Sequence, residues 1–188
     1  MPFFFENFPK TEYDIKKNNR KEVVTNIMLR YKISNTINKI KANYYDFSVE
    51  EGERPDIVAT KIYKRPELDW LILMVNDIID PNFDWPMELR TLENYIISKY
   101  GSLATAHATV HEYRKILNEQ SRLFDGTVVP KRTLVIDETT YNTLSETVRE
   151  SISKYQYEVD LNDSKRQIKV LDPAYLNDIL NSIEDIFE

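Results

Sequence analysis

The sequence predicts an α+β fold, and three observations carry that prediction. Tyr44–Val49 alternates, placing Tyr45, Phe47 and Val49 on one face with the period of two that marks a strand buried on one side. Pro55 and Pro66 each open a run at helical spacing, the first carrying Ile57, Val58, Ile62 and Tyr63, the second Leu68, Trp70, Leu71, Leu73, Met74 and Val75. Proline suits both positions because a first-turn amide has no helical partner to lose. Near the other end, Gln167–Leu171 reads as a strand. Pro173 then opens a last helix whose apolar stripe is Tyr175, Leu176, Ile179, Leu180, Ile183 and Phe187.

The remaining elements follow in chain order. Pro2 and Pro9 bracket a phenylalanine-rich start, and the basic stretch Lys16-Lys17-Asn18-Asn19-Arg20-Lys21 reads as solvated surface or as a dock for an acidic partner. Val24, Ile27, Met28 and Tyr31 are spaced for a short amphipathic helix over Lys21–Tyr31, although the many asparagines nearby suit an ordered arm as well. After the two proline-opened helices, Asp80-Pro81-Asn82 makes a turn, and Trp85–Leu89 is expected as a short edge strand, since Pro86 lacks a ladder donor. Thr91 is expected to cap a helix carrying Leu92, Tyr95 and Ile96 that Gly101 stops.

Thr109–Tyr113 reads as a strand, Asn118–Lys131 as a polar dividing loop, Thr133–Ile136 as a strand and Tyr141–Leu144 as a turn of helix. Ile152, Tyr155 and Val159 fit a helix running to about Ser164, while Tyr155, Tyr157 and Val159 also alternate as in a strand. The expected divisions are an arm and helix over 1–43 that docks partners, a small β-α-α-β module over 44–90, a helix with a connecting strand or loop over 91–131, and a C-terminal mixed α/β interaction region over 132–188.

Composition narrows the function. With 25 Lys and Arg against 31 Asp and Glu, the formal net charge is -6, which offers no electrostatic reason to expect nucleic acid. The absence of cysteine removes disulfides, thiolate nucleophiles and Cys-based zinc sites. No run approaches the length of a membrane span, and Phe3-Phe4-Phe5 is too short for a signal-peptide core. Those three phenylalanines call for burial in the core or against a neighbouring subunit. Aromatic residues make up 12% of the chain, a composition that suits interface centres and cores alike.

No reaction is legible. His107 and His111 would share a face of a helix, but only Glu112 stands nearby as a third ligand, so no metal and no cofactor is expected. Asp69, Asp77, Asp80 and Asp84 lie near aromatic residues as a glycosidase acid would, yet each reads as a turn, capping or surface residue. Gly52, Gly101 and Gly126 are isolated from one another, which removes phosphate-cradling loops. The expectation is a non-enzymatic protein with no small-molecule substrate.

The order Tyr45-Asp46-Phe47-Ser48-Val49, Gly52-Glu53, Ile57-Val58-Ala59, Trp70-Leu71, Asn76-Asp77 and Asp80-Pro81 resembles the LysM family. That resemblance implies a β-α-α-β unit with both helices on one side of a two-stranded sheet. The chain departs from the family at Arg54-Pro55-Asp56-Ile57, where Thr-Leu is usual, and at Trp85–Leu89, which lacks the family's closing glycine. Both departures fall where family members form their glycan groove.

The run Gly52–Ala59, continued by Tyr63, Pro66-Glu67-Leu68-Asp69-Trp70, Asn76-Asp77, Asp80-Pro81 and Trp85-Pro86, looks like the LysM-bearing baseplate wedge proteins of T4-like contractile-tailed phages. Tyr157-Glu158, Asn162, Lys165–Lys169 and the phenylalanine-rich start extend that resemblance over most of the chain. It implies a virion structural subunit of the tail baseplate, assembled in the host cytoplasm. Its partners would be wedge core subunits and neighbouring wedge or hub-proximal proteins. The expected interface residues are Phe4, Phe5, Tyr45, Trp85 and Tyr157, with Arg54 and Arg166 as pairing residues and Trp70 in the core. The alternative reading is a module that binds peptidoglycan or N-acetylglucosamine oligomers, motivated by the LysM-like strand, the turns and Trp85.

Overall fold

In the computed structural model, which describes residues 8–27, 44–177 and 180–181, two short strands come first, Lys10–Tyr13 (β1) and Glu22–Thr25 (β2). Strand Tyr44–Ser48 (β3), helix Pro55–Tyr63 (α1), a 3₁₀ turn at Pro66–Leu68, helix Asp69–Val75 (α2) and the single turn Pro81–Asp84 (α3) follow. Next come helices Leu89–Tyr100 (α4) and Leu103–Ala108 (α5), and strands Val110–Asn118 (β4), Ser121–Arg122 (β5), Val128–Val129 (β6) and Arg132–Ile136 (β7). Helix Glu138–Thr143 (α6), strand Arg149–Ser153 (β8), helix Lys154–Ser164 (α7), strand Gln167–Leu171 (β9) and a 3₁₀ turn at Pro173–Tyr175 follow, with helical backbone again at residues 176–177 and 180–181. This mixture of helices and small antiparallel sheets is consistent with the α+β class and is more elaborate than a small β-α-α-β module.

The chain separates into two compact units, one of residues 1–86 with 165–188 and one of residues 87–164. In the first unit β3 pairs antiparallel with β9, from Tyr44↔Leu171 to Ser48↔Gln167. Tyr45, Phe47, Ile168 and Val170 therefore share a face, and Phe47, Ile168 and Val170 pack with Val58, Ala59, Leu71 and Ile72 from α1 and α2 while Tyr45 stays exposed. The strand that closes the module is thus Gln167–Leu171, and the expected strand at Trp85–Leu89 is not formed. Trp85 ends α3 in extended backbone and Leu89 already begins α4. Pro86 has no amide for a ladder, and Trp85 spends its indole in the core.

The outer edge of β9 is sealed by side chains. Asn76, at the end of α2, donates to Lys169 O at 2.8 Å and accepts from Lys169 N at 2.8 Å. Tyr63, at the end of α1, donates its hydroxyl to Leu171 O at 3.1 Å and accepts from Leu171 N at 3.1 Å. Two backbone positions that would otherwise recruit another strand are satisfied within the unit, so the sheet stops at two strands.

Elsewhere the periodicities resolve as follows. Glu22–Thr25 pairs with β1 and is not helical; Val23, Val24 and Thr25 are β-branched and fit a ribbon. Residues 28–31 of that expected helix lie outside the described residues, as do Phe4, Phe5, Ile179, Ile183 and Phe187. Leu176 is buried in the first unit's core and Leu180 packs against it.

In the second unit β4 is the centre of a three-stranded antiparallel sheet ordered β7-β4-β8. Ile152 belongs to β8, and the helix starts only at Lys154, which resolves the ambiguity around Tyr155. Leu92, Ile96 and Ala106 form the buried centre, with Met87, Tyr95, Tyr155 and Val159 against it. Gly101, at φ 88°, ends α4 as expected, whereas the helix begins two residues before Thr91, with Glu88 at its N-cap. Asn162, fully inside α7, clasps Met87 through both of its backbone groups, at 2.7 Å to N and 3.0 Å to O.

Candidate functional site

Three of the seven predicted interface residues converge on the turn that follows β3. Val49 N donates to Arg166 O at 2.9 Å, Gly52 takes φ 75°, and Glu53 N reaches Glu50 O at 3.3 Å. Glu53 folds back so that its carboxylate accepts from Glu50 N at 2.9 Å and pairs with Lys61 of α1. Burial opposes its ionisation, but Lys61 and the Glu50 amide outweigh burial and hold the carboxyl below its ordinary range. Trp85 donates its indole N–H to Glu53 O at 2.7 Å and is only 5% exposed.

This placement corrects the reading of Trp85 as an interface anchor. Its ring has no free surface to offer a partner or a sugar, and its physical role is to pin the turn. Arg54, next in the chain, is exposed and grips Asp56 through two bonds of 3.0 and 2.7 Å. Arg166 pairs with Glu51 across the same turn. Tyr45 is 41% exposed on β3. Trp70 is half-buried against the first unit's core, as expected.

The candidate acids are structural groups. Asp80 caps α3 by accepting from Asn82 N at 3.0 Å, and Asp69 accepts from Trp70 N at 2.8 Å. Asp84 accepts from Ile79 N at 3.2 Å and Asp80 N at 3.0 Å, and these amides hold its carboxyl below the ordinary range. Asp77 occupies a turn at φ 54°. None is arranged as a protonated acid beside a second carboxylate.

In the second unit the two histidines lie on different elements, His107 on α5 and His111 on β4. Each stacks on a tyrosine of α7, His107 on Tyr155 at 4.0 Å and His111 on Tyr157 at 3.6 Å. Tyr157 is therefore half-buried and engaged within the unit. Beside it Glu158, 3% exposed, accepts from Lys99 Nζ at 2.8 Å and Tyr100 OH at 2.7 Å. Burial raises its pKa, yet these two bonds prevail and keep it ionised below the ordinary carboxyl range. Among the described residues no group of three or more His, Asp or Glu is placed to hold a metal ion, and no helix is long and apolar enough to cross a membrane.

The sequence reading missed the most exposed aromatic side chain of this unit. Phe124 is fully exposed at the tip of the β5–β6 hairpin, beside exposed Leu123. Leu123 N donates to Thr127 O at 2.9 Å, Thr127 N donates to the Asp125 carboxylate at 2.9 Å, and Gly126 takes φ 87°. The turn is thus built around Asp125-Gly126 and lifts Phe124 into solvent. An apolar pair immediately before Asp-Gly, followed by Val128-Val129, is the signal that marks this hairpin within a segment otherwise read as loop.

Residues 3–186 match the family described as base plate wedge protein 53. Over 192 residues the chain is 23% identical to the Baseplate wedge protein gp53 of Enterobacteria phage T4, covering 98% of this chain and 94% of that one. A family match over nearly all of the chain decides its identity at that level: it belongs to the base plate wedge protein 53 family, structural proteins of the phage tail baseplate and not enzymes.

Proposed function

We propose that this chain is an adaptor of the wedge, binding wedge core subunits and helping to join neighbouring wedges around the hub after synthesis in the host cytoplasm. The observation that carries this reading is the placement of exposed aromatic side chains on hydrogen-bonded supports, Tyr45 on β3 and Phe124 on the β5–β6 turn. Aromatic anchors of this kind supply large contact area for few frozen torsions. Arg54 and Arg166 at the turn after β3 and Tyr157 on α7 are further contacts in the same reading, as are Phe4 and Phe5 of the arm over 1–43 and the region 132–188.

The unit β3-α1-α2-β9 is, in this reading, a LysM-like module turned from sugar to protein. Its order of strand, helix, helix and strand supports the kinship. The withdrawal of Trp85 and Glu53 into the fold supports the change of ligand, since a glycan groove needs an accessible aromatic face and unspent polar groups at that turn.

The test is to mix the purified chain with purified wedge core subunits and read mass by size-exclusion chromatography with light scattering. A stable complex is expected. A chain that stays alone under assembly-permissive conditions overturns the proposal. Calorimetry with N-acetylglucosamine oligomers is expected to give no heat at millimolar sugar, and heat there would restore the glycan reading.

A further inference from the structure

The β1–β2 hairpin combines two properties that a free two-stranded ribbon does not need. Its register, Lys10↔Thr25 to Tyr13↔Glu22, puts Tyr13 and Val24 on one face and Val23 on the other. Tyr13 is 61% exposed and Val23 67%, and the flanking Ile15 and Ile27 are 56% and 64% exposed. Every residue of β1 is exposed. Val24 and Thr25 of β2 are only half-buried, and two strands so thinly covered are marginally stable in water, with a weakly held register.

The second property is charge. The connecting loop is ordered by Asp14, whose carboxylate accepts from Asn18 N at 3.1 Å and Asn19 N at 2.6 Å, while Asn18 Oδ1 accepts from Arg20 N at 3.0 Å. Lys17 and Asn19 take φ 53° and 61° to make these bonds. The loop so shaped presents Lys16, Lys17, Arg20 and Lys21, while its one carboxylate, Asp14, faces inward to backbone amides. Lys21 meets Glu12 at 3.6 Å on an exposed surface, and among the described residues no ion pair is formed by Lys16, Lys17 or Arg20. A cationic tip is thus segregated on a chain whose net charge is -6.

We infer that this hairpin is a docking finger that inserts into an apolar groove with an acidic rim on a different protein subunit of the baseplate. Tyr13 and Val23, on opposite faces, take the two apolar walls and Ile15 the space between, and Lys16, Lys17 and Arg20 take the carboxylates of the rim. Exposed apolar residues on both faces favour a protein groove over nucleic acid, which would use the charges and leave Val23 and Ile27 in water. The inference rests on the adaptor reading, of which it names one surface and the chemistry of its partner.

The test uses the full-length chain and wedges reconstituted from purified subunits. Zero-length carbodiimide cross-linking followed by mass spectrometry should join Lys16 or Lys17 to an Asp or Glu of another subunit. K16E/K17E/R20E should slow entry into the wedge by about tenfold or more at low salt, with the difference shrinking at high salt. Y13S/V23S should weaken the complex by about tenfold, mainly through faster dissociation, while the melting of the free chain is unchanged. Hydrogen exchange of residues 10–25 should slow on assembly. Cross-links only to a second copy of this chain, or normal assembly by both variants, overturn the finger while leaving the adaptor role standing. Failure of the unaltered chain to enter the wedge overturns both.

Discussion

Tyr63→Phe removes one oxygen atom and tests whether β9 closes the first unit. In the structure that oxygen serves both Leu171 N and Leu171 O at 3.1 Å, and Tyr63 is 7% exposed. The ring remains, so no cavity of consequence forms. What is lost is the partner of two buried backbone groups, each costing about 1–3 kcal/mol when left unmade. Because the two share one acceptor and donor, the combined loss is about 2–4 kcal/mol.

With a urea m-value of about 2 kcal/mol/M, the unfolding midpoint should fall by about 1–2 M. Fluorescence is the right assay, since the two tryptophans of the chain, Trp70 and Trp85, both belong to the first unit. Alkaline pH supplies an independent check. Burial holds the Tyr63 hydroxyl protonated far above its ordinary range, so between the unfolded value near pH 10 and the native value the native state keeps a proton that the unfolded state has lost. Stability from this group is therefore complete below about pH 10 and falls by about 1.4 kcal/mol per pH unit above it. The variant should lose that part of the slope. An unchanged midpoint together with an unchanged alkaline limb would refute the assignment of Gln167–Leu171 as the closing strand.

Trp85→Phe should destabilise the first unit by about 1–3 kcal/mol, followed through Trp70 fluorescence, by stranding Glu53 O, and should leave wedge entry unchanged well below the melting temperature. Glu158→Gln should flatten the acid limb of the second unit's unfolding, read by circular dichroism. The native carboxyl sits below its unfolded value, so its contribution is present above about pH 4.5 and disappears as the pH falls through the native value. Phe124→Ser should change stability by less than about 0.5 kcal/mol in thermal melts yet reduce wedge binding in the chromatographic assay, because the ring contacts solvent in the free chain.

The parts of the fold that were legible are those written by neighbours in sequence. The alternation of Tyr45, Phe47 and Val49 and the proline-opened runs at Pro55 and Pro66 each depend on contacts a few residues long, and each appears where expected. The strand Gln167–Leu171 was legible as a strand and illegible as a partner. Nothing local in Gln167–Leu171 says that it pairs with Tyr44–Ser48, and Trp85–Leu89 stood nearer in the chain. The site divided along the same line. Arg54 takes a partner two residues on, Asp56, whereas the pairing of Arg166 with Glu51 and the withdrawal of Trp85 depend on where the chain returns. Phe124 was hidden because a two-residue strand on each side of a turn has too little alternation to rise above a polar segment.

The insertion of residues 87–164 between α3 and β9 has an energetic consequence that the hydrogen bonds address. Were that stretch an unstructured loop of roughly 80 residues in place of a short connection, closing it would cost about 2–3 kcal/mol more. The chain instead folds the stretch around its own core of Leu92, Ile96 and Ala106. Its two ends are held together within the second unit by Asn162 on both backbone groups of Met87. On the first unit's side, Lys165 Nζ donates to Phe83 O at 2.6 Å, so the chain leaves and re-enters that unit at one place. A folded insertion with pinned ends behaves as a short connection, and β9 is delivered to β3 with little of the entropic penalty that its distance in sequence suggests. The second unit, whose contacts all fall within one continuous stretch, can therefore form first, and its formation brings the closing strand within reach of the first.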